Sequence, residues 1–107
     1  MPWTFRTLNP LVDEEILALP VDMQARLLRL GELIEQSGLR ALPRDSVRHL
    51  EGKLWELRIS GRDGIARAIY MTAISERVIV LRVFIKKTQK TPPRELDVAR
   101  QRAKEVT

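Results

Sequence analysis

The chain has 107 residues, a formal net charge of +5 and no cysteine. Such a length suits one domain with its own hydrophobic core, so we expect a single domain over residues 1–107 and one principal site. The lack of cysteine excludes disulfides, cysteine-based zinc sites and thiol nucleophiles, and the basic charge favours polyanionic partners such as nucleic acid.

The N-terminal sequence and the length of the apolar segments indicate which cellular location to expect for the chain. The first residues lack the basic flank and apolar run of a secretory signal, and no segment approaches the roughly 20 apolar residues needed to cross a bilayer. We therefore expect a cytoplasmic protein without a membrane partner. A single histidine with no cysteine also argues against a transition-metal site, and we expect no cofactor.

The first third of the chain predicts one strand and two helices. Residues 3–8 alternate aromatic and polar side chains, which is typical of a half-buried strand. Asn9 and Pro10 predict a helix start, and the helix should continue to about Leu19. A longer amphipathic helix follows Pro20 and ends near Gly38, so that the two helices form an antiparallel hairpin. Residues 39–47 read as a loop.

The remainder predicts three antiparallel strands and a terminal helix. Residues 53–59 alternate apolar and charged side chains, SGRDG at 60–64 predicts a tight turn, and residues 65–72 form the returning strand. Ser75 and Glu76 mark the next turn, after which residues 77–85 form a central strand covered on both faces. Residues 94–106 predict a helix. The fold class is α+β, with an N-terminal strand, a helical hairpin, a three-stranded antiparallel meander and a C-terminal helix.

Positive charge concentrates on the predicted meander. Ten lysine or arginine residues lie between Lys53 and Arg94, against only three carboxylates. The cluster predicts an anion-binding surface built on a sheet. Arg67, Lys86 and Lys87 suit contacts with phosphate, because guanidinium groups match phosphate oxygens and lysine supplies a compact charge.

The motifs LWELR at residues 54–58 and VFIKKTQKTP at residues 83–92, in this order of elements, resemble the RelE/HigB-type toxins of bacterial toxin–antitoxin pairs. The phage-derived HigB-like branch is the most similar. The resemblance implies an mRNA endonuclease, or mRNA interferase, that cuts RNA on the ribosome and inhibits growth. It also implies a helix-turn-helix, HigA-like antitoxin as partner and a toxin–antitoxin hetero-oligomer.

The resemblance also implies roles for individual residues. Arg67 matches the strand arginine that family members place on the scissile phosphate, and Lys86 or Lys87 matches the basic pair at the strand end. Arg58, the arginine of LWELR, should lie on the same groove. The other expected RNA-binding residues are Lys53, Arg82 and Lys90.

Some positions depart from the family pattern. Arg82 stands where many relatives carry histidine, Ala66 stands where many carry an aromatic residue, and no tyrosine or histidine follows Tyr70. Arginine does not deprotonate at neutral pH, so a lysine with a lowered pKa or Glu56 with a raised one would have to transfer the proton. The general acid and base therefore stay unassigned.

Other interpretations stay open at this point. A ParE-like gyrase poison or a degenerate, binding-only relative would share the fold without ribonuclease activity. A generic RNA-binding module is a weaker alternative, because the strands lack paired exposed aromatic residues. His49 is either a proton-transfer group at the groove rim or an exposed loop residue, and Trp55 and Tyr70 are interpreted as packing residues.

Overall fold

The computed structural model describes residues 2–73, 76–87 and 90–106. Its elements are β1 (Thr4–Thr7), α1 (Pro10–Leu17), α2 (Val21–Ser37), β2 (Val47–Glu51), β3 (Leu54–Gly61), β4 (Gly64–Ala73), β5 (Arg77–Lys86) and α3 (Pro93–Ala103). The strands form a five-stranded sheet in the order β1-β5-β4-β3-β2. β1 runs parallel to β5, and the other neighbours are antiparallel. The predicted α+β fold class is confirmed.

The helix ends follow the capping signals in the sequence. The Asn9 side chain accepts a hydrogen bond from the Val12 amide at 3.2 Å, and Pro10 occupies the first turn of α1. α2 ends at Ser37 and is capped by Gly38, which has a φ of 81°. A side chain there would also collide with Trp3, because a Cβ atom would lie 2.7 Å from the indole nitrogen. Glycine at this position therefore lets β1 and the end of α2 meet.

The sheet contains a strand that the sequence interpretation missed. Two 3-10 turns, Leu39–Ala41 and Arg44–Ser46, lead from α2 directly into β2. β2 pairs with β3 through the Gly52–Lys53 turn, in which Gly52 adopts a φ of 49°. The antiparallel meander therefore has four strands rather than three, and His49 lies on a strand rather than in a loop.

Two apolar cores cover the two faces of the sheet. α1 packs on β5, while α2 packs on β3 and β1, and their apolar side chains enclose the first core with residues such as Leu57, Ala68 and Val80. α3 packs on β5 and β4 over the second core, which contains Ile69 and Leu81. Tyr70 is buried in the first core as predicted.

A β-bulge lies in the pairing of β4 with β5. Ile69 stands opposite Arg82, whereas the next residue, Tyr70, stands opposite Val80, so Leu81 is the extra residue. Before the bulge Val78 and Val80 face the first core, and after it Val83 does. The bulge therefore turns Arg82 and Lys86 towards the face of the second core.

The last helix and the turns agree with the sequence pattern within a few residues. α3 begins at Pro93 and ends at Ala103, with Ala99 fully buried against the sheet. Arg62 and Asp63 form the turn between β3 and β4, and Glu76 has the positive φ of a turn residue. Ser75 lies outside the described residues. No helix of the described ranges has the length and apolarity that a bilayer crossing requires.

Candidate functional site

A basic groove lies on the sheet face beyond the N-terminal end of α3 and encloses about 640 Å³. It brings together four of the predicted site residues, which come from the neighbouring strands β3, β4 and β5 and from the position after β5. Five cationic side chains outnumber two carboxylates along its lining. The lining residues are Asp45, Ser46, Arg48, Glu56, Arg58, Gly64, Ile65, Arg67, Lys86 and Lys87.

The tight turn between β3 and β4 sets the arrangement of the groove floor. Because Gly61 pairs with Gly64, Arg58 lies directly opposite Arg67. Two like charges in this position repel each other. Glu56 stands opposite Ile69, so its carboxylate is the diagonal neighbour of Arg67.

Arg67 and Glu56 form a buried ion pair. The Arg67 guanidinium donates from Nη1 to the Glu56 carboxylate, and both side chains are almost completely buried. The Thr91 hydroxyl donates to the second Glu56 oxygen at 2.6 Å and ties the segment before α3 to the groove. The buried Nε of Arg67 has no partner among the described residues. Glu56 therefore holds the guanidinium in place without satisfying all of its donors.

The two lysines line the end of β5. Lys86 stands opposite Ile65, and desolvation together with the nearby Arg67 charge lowers the pKa of its ammonium group. Lys87 follows the strand and is exposed. The groove thus offers a fixed guanidinium, a lysine that loses its proton more readily than usual and an exposed cation, which together suit a phosphate diester.

Arg82 was predicted to belong to the site, but two carboxylates hold its side chain away from the groove. It donates to Glu95 of α3 and to Glu15 of α1, each at 2.7 Å. Burial works to lower the pKa of Arg82, but the two ion pairs outweigh it and raise the pKa. Arg102 joins the same cluster through Glu15 at 2.9 Å.

Lys53 and Lys90 do not line the groove. Lys53 is exposed in the turn between β2 and β3, and Lys90 is exposed before α3. Both therefore lie outside the cluster that Arg58, Arg67, Lys86 and Lys87 form.

His49 lies on the other face of the sheet. Its Nε2 lies 2.8 Å from the Gly52 carbonyl oxygen, which accepts a hydrogen bond from it, and its ring meets Trp55 edge-on with centroids 4.8 Å apart. The side chain is exposed and does not line the groove. Desolvation raises the pKa of the buried Tyr70 to about 12, which keeps its phenol protonated at neutral pH.

Sequence reasoning missed the contribution of β2 and of the turn before it. Arg48, Asp45 and Ser46 line the groove because β2 continues the sheet beyond β3. The signal was present in the sequence, since Gly52–Lys53 separates two extended runs in the manner of a two-residue hairpin turn. The Glu56–Arg67 pair could likewise have been found by counting outward from Gly61 and Gly64.

The fold is similar to that of one chain in a solved complex of two proteins. One chain of the crystal structure of the archaeal RelE–RelB complex from Pyrococcus horikoshii OT3 superposes with a TM-score of 0.55 at 20% identity, over 79% of this chain and 96% of that chain. No curated protein matches the sequence.

A family assignment rests on most of the chain. Residues 14–104 match the family described as "Phage derived protein Gp49-like (DUF891)", and this range includes α2, the whole four-stranded meander and α3. The basic groove lies entirely within the matched range. The chain therefore belongs to the phage-derived Gp49-like family.

Proposed function

We propose that this protein is the toxin of a RelE/HigB-type toxin–antitoxin pair and acts as a metal-independent endoribonuclease on mRNA. The observation that carries the proposal is the basic groove, which gathers Arg58, Arg67, Lys86 and Lys87 on one sheet face. The fold similarity to a chain of a RelE–RelB complex and the phage-derived family support it. A cytoplasmic location and a single domain over residues 1–107 are part of the same proposal.

The chemistry assigned to the groove is attack of a ribose 2′-hydroxyl on the adjacent phosphate. The 2′-hydroxyl loses its proton to solvent water and bonds to phosphorus as the bond to the 5′-oxygen breaks and that oxygen takes up a proton. The products are a 2′,3′-cyclic phosphate and a 5′-hydroxyl. Arg67 is already fixed by Glu56, so its remaining donors meet the equatorial phosphate oxygens with little reorganisation. Arg58, Lys53 and Lys90 bind the flanking backbone.

Proton transfer falls to Lys86 in this proposal. Both oxygens of Glu56 already accept hydrogen bonds, from Arg67 and Thr91, so Glu56 is poorly placed to take a proton from substrate. The lowered pKa of Lys86 favours release of its proton to the departing 5′-oxygen. Lys87 supplies further positive charge. Arg82 acts in folding rather than in RNA binding, because two carboxylates neutralise it.

The first test is primer extension on a defined mRNA after brief expression of the full chain. Discrete cuts within translated codons are expected from the wild type and from Arg29→Ala, a control on the exposed face of α2. The cuts should be lost when Arg67→Met is combined with Glu56→Leu, which removes the buried pair together. Lys87→Ala and Lys86→Met should each weaken the cuts. Full cleavage by the double variant would contradict the site assignment.

Partners follow from the same proposal. An antitoxin of the helix-turn-helix, HigA-like kind would neutralise the toxin in a hetero-oligomer, and the ribosome would present the mRNA. Cuts restricted to translated RNA would support dependence on the ribosome, whereas equal cutting of naked transcripts would contradict it.

A non-nuclease member of the same fold is the second candidate. It is favoured by the ion pair, because Glu56 already neutralises the most buried cation of the groove. Growth arrest with intact mRNA and trapped, cleaved DNA would indicate a gyrase poison of the ParE kind. Intact mRNA without growth arrest would indicate a protein that only binds its partner.

A further inference from the structure

A second concave site lies on the opposite face of the sheet from the basic groove. This aromatic pocket encloses about 360 Å³ and is mainly apolar. Trp55 is 37% exposed, so it forms a wall of the pocket rather than a part of the core as the sequence interpretation had it. The lining side chains are Trp3, Leu39, Arg40, Val47, Trp55, Tyr70 and Thr72.

The aromatic pocket and the basic groove share one border, which is the edge strand β2. Val47 lines the aromatic pocket, while Ser46 and Arg48 on either side of it line the basic groove. This follows from the alternation of side chains along a strand. The side chains of any strand added beside β2 would alternate between the two faces in the same way, so they would reach both the aromatic pocket and the basic groove.

The two edges of the sheet differ in how their backbone groups are protected. On the β1 side, Glu35 accepts the Phe5 amide at 3.3 Å, and Glu15 accepts the Val83 amide at 3.1 Å where β5 extends beyond β1. On the β2 side, no described residue pairs with the outer edge. Arg100 reaches only Glu51 at the end of β2, at 2.6 Å. An edge strand left open in this way is a template for another chain.

We infer that β2 binds an extended segment of a protein partner as a sixth strand of the sheet. Side chains of the segment that face Arg48 meet the cations of the basic groove and are acidic. Side chains on the other face meet Trp3 and Trp55 and are apolar or aromatic. Backbone hydrogen bonds to β2 hold the segment, and the alternating pockets select its sequence.

A polypeptide fits this surface better than RNA does. The open edge offers alternating amide donors and carbonyl acceptors along a strand, which another peptide backbone matches group for group. The phosphate groups of RNA have no donors for the carbonyl groups, and its backbone offers a single donor, the ribose 2′-hydroxyl, in each nucleotide. The inference does not require ribonuclease activity, because a member that only binds its partner would present the same edge.

The experiment selects a random peptide library of about twelve residues, longer than a typical strand needs, against the full chain. Selected peptides without tryptophan are then titrated while the fluorescence of the protein is recorded. The chain contains two tryptophans and both line the aromatic pocket, so the emission reports its occupancy directly. Hydrogen exchange at residues 47–50 measures strand addition independently.

Three variants distinguish peptide binding at β2 from binding elsewhere on the protein. Trp55→Ala removes a wall of the aromatic pocket, and Arg48→Glu reverses the charge on the other face of β2. Both side chains are exposed, and circular dichroism checks that each variant folds. Arg6→Glu makes the same charge reversal on the exposed side of β1 and is the matched control.

We expect enriched peptides that alternate acidic and apolar residues, shift the tryptophan emission and slow exchange in β2. Their affinity should fall about tenfold or more with Trp55→Ala and with Arg48→Glu, as for a central interface residue, and stay within twofold for Arg6→Glu. Failure to enrich any such peptide, or equal binding to all three variants, would overturn the inference. So would single-stranded RNA that shifts the emission through Trp55, because the pocket would then be a nucleobase site.

Discussion

Arg67 and Arg82 are the same residue type on adjacent strands and on the same sheet face, yet their surroundings differ. Arg82 lies between α1 and α3, and a carboxylate from each helix neutralises it. Arg67 lies beyond the N-terminal end of α3, has one carboxylate and keeps a buried donor without a partner among the described residues. The number of carboxylates around an arginine, rather than its place in a charged strand, therefore separates a structural cation from a candidate for binding phosphate.

The largest effect is expected from breaking the buried pair. Glu56→Ala leaves the Arg67 charge buried without its carboxylate, and the free energy of unfolding should fall by about 3–5 kcal/mol, the usual cost for a buried pair. Urea denaturation measures this loss. The matched control is Glu56→Leu with Arg67→Met, which removes both charges and should stay within about 1 kcal/mol of the wild type. A single variant as stable as the wild type would mean that water reaches the pair.

The next effect concerns activity. The double variant Glu56→Leu, Arg67→Met should fold and yet lose mRNA cleavage by about 100- to 1,000-fold, comparable to the loss of a preorganised donor to a transition state. Primer extension on equal amounts of folded protein measures it. Retained cleavage in a folded double variant would place the reacting phosphate elsewhere in the groove.

Arg82→Met should act on stability instead. It leaves Glu95 partly buried without its cation and leaves Glu15 with Arg102 as its remaining partner. The free energy of unfolding should fall by about 1–3 kcal/mol, less than for a fully buried pair because water reaches part of the cluster. Cleavage per folded molecule should change less than about tenfold. A loss of activity as large as in the Arg67 variant, at unchanged stability, would mean that Arg82 acts in cleavage rather than in folding.

The smallest effect belongs to the exposed pair of Glu51 with Arg100. The hydrogen bond from Arg100 lowers the pKa of Glu51 below its ordinary value of 4.5. The unfolded chain therefore takes up this proton at a higher pH than the folded chain does. The stabilisation is complete above the unfolded pKa and is lost as the pH falls through the folded pKa.

Arg100→Gln should remove that dependence. Thermal unfolding from pH 7 to pH 3 should then show a shallower acid loss than in the wild type. An identical acid loss in both proteins would mean that the pair makes no contribution in solution, as for many surface ion pairs.

The fold could be predicted from the sequence because its local signals agree with one another. Asn9 with Pro10, Gly38 and the SGRDG turn each place an element end close to where it is observed. β2 was missed because residues 39–47 carry turn formers and the strand after them is short. A short edge strand is predicted better from the strand that it pairs with than from its own composition.

The candidate site could be predicted as a cluster, and the SGRDG turn would also have given the Glu56–Arg67 pair, but the carboxylates around Arg82 could not be predicted. The charge pattern brought Arg58, Arg67, Lys86 and Lys87 together in the prediction, and the structure places them around one groove. Which carboxylate neutralises which arginine depends on strand register and on helix packing. Glu15 is 67 positions from Arg82 along the chain, so no local sequence pattern predicts that contact.

The bulge at Leu81 has a consequence for insertions and deletions in β5. Deleting Leu81 would restore regular pairing with β4 while leaving Lys86 on the face of the groove, at the expense of one core side chain. Deleting Val83 instead would advance the following residues by one place, so that Lys87 would take the position of Lys86. We therefore expect β5 to tolerate deletion of Leu81 better than deletion of Val83. Because Lys86 and Lys87 are adjacent, deletion of Val83 would still leave a lysine at the position that Lys86 occupies now.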